Sequence, residues 1–145
     1  MLGYTKLGDP IVLFGSKSGT TYTPATLTAA YTGNTSDTIK ASGIYGISLD
    51  IKYTYGSGET SNKLQLQIEG SPDGTNWFLF PNDSTTDNIS TITGRTFEIA
   101  QADNLIHLNI RELLTEYVRI KVQENGVASN YGTISIEATL WGSNE

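Results

Sequence analysis

Asn62 to Pro81, NKLQLQIEGSPDGTNWFLFP, is the stretch whose reading decides the fold class. Leu64, Leu66 and Ile68 fall on one phase and Gln65, Gln67 and Glu69 on the other, which is the period of a strand with one buried face. Ser71-Pro72-Asp73-Gly74 then reads as a turn. Pro72 pre-sets φ, Asp73 can bond the local backbone, and Gly74 tolerates a positive φ. Trp77, Phe78, Leu79 and Phe80 predict a return strand that is apolar on both faces, covered on both sides or seated against a partner. The whole is a β-hairpin, and nothing in it has the pattern of a catalytic group.

The flanking sequence repeats the strand period. Tyr45, Ile47, Leu49, Ile51, Tyr53 and Tyr55 alternate with Gly46, Ser48, Asp50, Lys52 and Thr54, which predicts a long antiparallel strand with one solvated face. In Tyr117 to Glu124, Val118, Ile120 and Val122 face in while Arg119, Lys121 and Gln123 face out. In Tyr131 to Gly142, Ile134, Ile136, Ala138 and Leu140 face in, Thr133, Ser135, Glu137 and Thr139 face out, and Trp141 takes the outward phase. Weaker strands are expected at Thr23 to Thr35 around Leu27 and Tyr31, at Ser36 to Ser42 around Ile39, at Arg95 to Ala100, and at Leu105 to Ile110. Arg111 to Thr115 reads as a helical turn at a corner, and Asn82 to Thr93 as a polar loop.

Eight to ten short strands with turn chemistry between them and no sustained helical period predict an all-β protein. The expected architecture is an antiparallel β-sandwich, jelly-roll-like or Ig-like, with an extended N-terminal arm. Residues 24–145 form the sandwich domain; residues 1–23 are an edge strand or, in the sharper reading, an arm that adds a strand to a neighbouring subunit. Gly3, Gly8, Gly15 and Gly19 interrupt the apolar residues of that segment.

Composition narrows the function. The 145 residues carry a net charge of -6, the wrong sign for a phosphate-binding groove, so no nucleic-acid partner is expected. There is no Cys, which removes disulfides, thiolate metal sites and Cys nucleophiles. The apolar run Ile11 to Phe14 is too short for a signal peptide and follows Lys6, Asp9 and Pro10. With no apolar run long enough to span a bilayer, a soluble product of the cytoplasm without a membrane partner is expected.

The chemistry-bearing residues read as structural. His107, the single histidine, has no Ser or Cys partner in a recognisable motif and suits a surface or interface. Asp50, Glu69, Asp73, Asp83 and Asp87 offer no spacing that selects a glycosidase pair. The oxygen-rich stretch Asn82 to Asn88 lacks the EF-hand pattern and reads as a polar turn rather than a Ca²⁺ site. Asn34, Asn82 and Asn88 head acceptor triplets for glycosylation that chance explains in so Ser- and Thr-rich a chain. Trp77 is expected to fill the core or a subunit interface. Trp141, facing out, could instead join the tyrosines in a sugar-stacking platform.

The order of these segments resembles the small β-sandwich proteins of tailed-bacteriophage virions, in particular capsid decoration (cement, or auxiliary) proteins. In these a strand ending in a turn like GSPDGTNW and a later strand like YVRIKV recur; here they are Gly70 to Trp77 and Tyr117 to Val122, within a similarity that runs over residues 44 to 142. The resemblance implies a non-enzymatic structural protein made in the host cytoplasm and bound to the outer surface of an assembled capsid. Its partner would be the major capsid protein, and it would be a homo-oligomer, a trimer before a dimer, needing no cofactor or metal. The contacts expected are Leu2, Tyr4, Leu7, Ile11, Val12 and Phe14 in the arm, with Trp141 near the C-terminus. The rival expectation is a carbohydrate- or receptor-binding β-sandwich module of a phage fibre or tail, or of a secreted protein.

Overall fold

A computed structural model describes residues 3–33, 38–79, 96–101 and 105–144 of the chain. These contain thirteen strands: β1 (Gly3–Phe14), β2 (Ser16–Ser18), β3 (Thr21–Thr23), β4 (Ala25–Thr26), β5 (Thr32–Gly33), β6 (Ile39–Lys40), β7 (Gly46–Thr54), β8 (Lys63–Ser71), β9 (Phe78–Leu79), β10 (Thr96–Ala100), β11 (Leu105–Arg111), β12 (Tyr117–Asn125) and β13 (Thr133–Asn144). All pairings are antiparallel. Sheet A runs β1-β13-β7-β11, with β4 beside β13; β2 and β3 form a separate hairpin, sheet B; sheet C runs β10-β8-β12-β5, with β6 beside β12 and β9 beside β8.

The two large sheets make a β-sandwich whose core is the set of inward phases. Ile47, Leu49, Ile51, Tyr53, Ile134, Ile136 and Ala138 of sheet A are buried, as are Leu64, Leu66, Ile68, Val118, Ile120 and Val122 of sheet C. Alternation of β-branched and leucyl side chains with polar ones places the dry face of each strand, and burial of these residues drives the sheets together.

Several expectations are corrected. Of the return strand expected over Trp77 to Phe80, Phe78–Leu79 pairs with Gly70 and Glu69 and is exposed, Trp77 stands before it, and Phe80 lies outside the described residues. The full-length partner of β8 is β12, in register from Tyr117↔Ser71 to Asn125↔Lys63. Arg111 to Thr115 is not a helical turn: Glu112 adopts φ 59°, and this left-handed residue ends β11. The strand expected at Thr23 to Thr35 is two short pieces, β4 and β5, laid along the edges of different sheets. Tyr45 and Tyr55 lie outside β7 and leave its buried phase.

Residues 3–14 form the edge strand of sheet A, paired with the chain's own β13 from Gly3↔Asn144 to Phe14↔Ile136. Gly8, Asp9 and Pro10 are absorbed as a bulge, where an edge strand tolerates a proline. Gly15 then turns the chain out of the sheet at φ 81°, and an added Cβ would lie 2.5 Å from the Thr23 carbonyl oxygen. The chain makes the β2–β3 hairpin and returns as β4 alongside Thr133 and Ile134.

Two buried carboxylates join the layers. Glu124 follows Val118, Ile120 and Val122 in phase and is 1% exposed. It accepts hydrogen bonds from the Tyr53 hydroxyl, from Asn62 Nδ2 at 3.0 Å and from the Gly132 amide at 2.6 Å. Burial first, then the bond to Glu124, pushes the Tyr53 hydroxyl well above the usual phenol range. Glu59 accepts from the amides of Ala128, Ser129 and Asn130 at 2.8, 2.8 and 2.6 Å, and so holds the loop between β12 and β13. Those amides lower its carboxyl to about 2.

Candidate functional site

The outward phase of sheet A places side chains from four strands in cross-strand rows. Asp50 on β7 lies opposite His107 on β11 and Glu137 on β13. The next row joins Asn109, Ser48 and Thr139, and the one beyond joins Arg111, Gly46, Trp141 and Lys6. His107 Nδ1 is 2.7 Å from Asp50 Oδ1, with both side chains more than half exposed.

Two elements wall this face. At one end the β2–β3 hairpin folds over β13. Tyr22 donates its hydroxyl to Glu137, and Lys17 Nζ reaches Glu137 Oε1 at 3.1 Å while standing 4.9 Å above the Tyr22 ring. Together they cover Ser135 and Glu137, which their phase alone would leave wet. The Tyr22 hydrogen bond, then Lys17, holds the Glu137 carboxyl below the usual carboxylate range against its burial. At the other end Tyr4 stacks on Tyr45 with ring centroids 5.0 Å apart, and Trp141 donates its indole N–H to Ser48 Oγ.

Between these walls lie two adjoining depressions that share His107. One, of about 350 Å³, is lined by Tyr22, Asp50, Lys52, Leu105, His107 and Glu137 among others. The second, of about 210 Å³, is lined by Tyr4, Tyr45, Ser48, Asn109, Arg111 and Trp141 among others.

A different surface lies at the end of sheet C. Phe78, Leu79 and Leu114 are 61%, 45% and 91% exposed and line a groove with Pro72 and Glu116. The turn before it is fixed by its own side chains. Ser71 Oγ accepts from the Gly74 amide at 2.8 Å, and Asp73 Oδ1 accepts from the Thr75 and Asn76 amides, each at 2.8 Å. Gly74 has φ 77°. Trp77 is not a core residue: the Arg119 guanidinium lies 4.4 Å from its ring centroid, and Arg119 and Lys121 both pair with Glu69, at 2.6 and 3.1 Å.

No family model matches this chain, and no curated protein or solved structure matches it.

The residues expected at an interface are distributed rather than grouped. Phe14 is buried in the core beside Leu13 and is unavailable to a partner. Ile11 is half-buried and packs against the core, and Val12 is half-buried. Tyr4 and Leu7 are exposed at 51% and 38%. Trp141 is half-buried and shares a depression with Tyr4. Leu2 lies outside the described residues, as do Asn34, Asp83, Asp87 and the whole of the Asn82 to Asn88 turn. Among the described residues no three His, Asp or Glu side chains are grouped for a metal ion. Of the carboxylates weighed as catalytic, Asp50 meets His107, Glu69 meets Arg119, and Asp73 caps its own turn.

The Asp50–His107 pair and the aromatic walls were beyond a reading of single strands. Asp50, His107 and Trp141 each occupy an outward phase that the sequence shows. Their meeting depends on the β7–β11 and β7–β13 registers. Tyr4 was expected only as a contact of the arm, Tyr45 was expected on the inward phase of its strand, and Tyr22 carried no such signal. Glu124 did, as the residue continuing the inward phase of β12.

Proposed function

We propose that this chain is a non-enzymatic structural protein of a tailed-phage virion, one that binds the outer surface of the assembled capsid. The observation that supports this best is that the two stretches carrying the resemblance form one unit. β8, which runs into GSPDGTNW, pairs over nine residues with β12, which opens with YVRIKV, and Arg119 of β12 grips Glu69 of β8 and Trp77 beyond the turn.

The shell contact is assigned to the apolar groove of Phe78, Leu79 and Leu114 rather than to an N-terminal arm. Three large apolar side chains exposed together suit burial against a protein surface. The partner is the major capsid protein. A homo-oligomer, a trimer before a dimer, multiplies contacts that are individually weak.

The test is sedimentation of the purified protein with tailed-phage shells stripped of surface proteins, reading copy number at saturation. A fixed stoichiometry that falls for Phe78→Ser and Leu114→Ser supports the reading. Shells that sediment free of the protein at saturating concentration overturn it.

A further inference from the structure

We infer that the outer face of sheet A, between the Tyr22 hairpin and the Tyr4–Tyr45 stack, is a binding site for an extended uncharged saccharide. This is separate from the shell contact proposed above and stands on different residues.

A sugar ring presents an apolar C–H face and a rim of hydroxyls that both donate and accept. A site for it needs fixed aromatic faces with planar polar groups beside them. Here the rings are held before any ligand arrives. Tyr45 is stacked on Tyr4, Trp141 is tied to Ser48, and Tyr22 is tied to Glu137. Rings already locked lose little freedom on binding, which favours affinity. Asp50, His107, Asn109 and Arg111 stand along the trough between them, and each can exchange hydrogen bonds with hydroxyls.

Charge selects an uncharged ligand. The chain as a whole carries -6. The two depressions are lined by two carboxylates, Asp50 and Glu137, and two cations, Lys52 and Arg111, so both signs are interspersed along the trough and no field of one sign is gathered there. Glu137 is already occupied by Lys17 and Tyr22, and Asp50 by His107. The two depressions adjoin at His107, which makes the site elongated and suits consecutive sugar units rather than one.

The probe is an array of neutral oligosaccharides of glucose, galactose, mannose and N-acetylglucosamine in α and β linkages, with sialylated and sulfated glycans alongside. Hits are followed by calorimetry and saturation-transfer NMR. Binding to a neutral oligosaccharide is expected, weakened about tenfold or more by Trp141→Ala and by Tyr45→Ala. Asn109→Ala, on an exposed position, provides a second variant that should weaken binding without threatening the fold. Phe78→Ser should leave it unchanged. An array without neutral-glycan hits, binding confined to the anionic glycans, or binding indifferent to Trp141, Tyr45 and Asn109 overturns the inference. So does loss of shell binding by Asn109→Ala without any glycan hit, since the face is then a protein contact. Failure of shell sedimentation with glycan binding intact overturns only the capsid reading.

Discussion

The hydroxyl of Tyr53 in sheet A donates to the carboxylate of Glu124 in sheet C, so the two layers of the sandwich are joined by a polar bond inside the core. Glu124 also satisfies Asn62 and the Gly132 amide. Removing it strands three donors where water is scarce. Glu124→Ala is therefore expected to cost about 3 kcal/mol or more. Tyr53→Phe leaves Glu124 with two partners and should cost about 1 kcal/mol. Urea unfolding of both single variants and the double variant measures this. Non-additivity is expected, because the two residues share one bond.

Glu59 makes stability depend on acid. Three backbone amides lower its carboxyl from the ordinary 4.5 to about 2. A carboxyl lowered in the folded state contributes stability that is fully present above its unfolded value. That contribution is lost as pH falls through the folded one. Asp73, lowered by the Asn76 and Thr75 amides, acts in the same direction. The melting temperature should fall progressively from pH about 4.5 toward 2. Glu59→Gln should melt lower at neutral pH and show a shallower decline through that window. An unchanged slope in the variant would show that other groups carry the acid response.

Much of this sandwich is legible in the alternation of its strands. Period two records which side of a strand is dry, and Ile47 to Tyr53, Leu64 to Ile68, Val118 to Val122 and Ile134 to Ala138 are buried on that phase. Pairing is not recorded there. Asp50 meets His107 because β7 and β11 share a particular register, a non-local property that neither strand carries alone. Apolar content alone does not say what covers a strand. Trp77 and Phe78 suggested a strand covered on both sides or meeting a partner; within the chain it is not covered, for Trp77 takes a guanidinium on its face and Phe78 stands exposed. Residues 1–23 left an edge strand and an arm both open; β1 pairs as an edge strand, Gly8 and Pro10 fit a bulge on it, and Gly15 the exit to a hairpin.

Gly15 should not accept a side chain. Its φ of 81° is strained for any other L-residue except as an exception, and a Cβ would meet the Thr23 carbonyl oxygen at 2.5 Å. Gly15→Ala is expected to cost about 1–3 kcal/mol and to loosen the β2–β3 hairpin from Glu137. Amide exchange read over residues 16–23 is the measure. Faster exchange there, with β8 and β12 still protected, is the expected pattern; uniform exchange would place the strain elsewhere.

Truncation separates the two parts of β1. Tyr4 and Leu7 are exposed, whereas Leu13 and Phe14 are 5% and 8% exposed and belong to the core. Deleting residues 1–7 removes ladder bonds at the edge of sheet A and the Tyr4 stack, but, among the described residues, no core side chain. That variant should fold, with a modestly lower melting temperature. Deleting residues 1–15 also opens a cavity where Phe14 stood, and losing a buried Phe side chain alone costs about 3–5 kcal/mol. It should unfold or lose cooperativity. Any loss of binding by the longer deletion therefore reports on folding, and the shorter deletion is the one that isolates the surface residues. Circular dichroism and thermal melts of both decide the matter. A fully stable protein lacking residues 1–15 would show that β1 is an appendage after all.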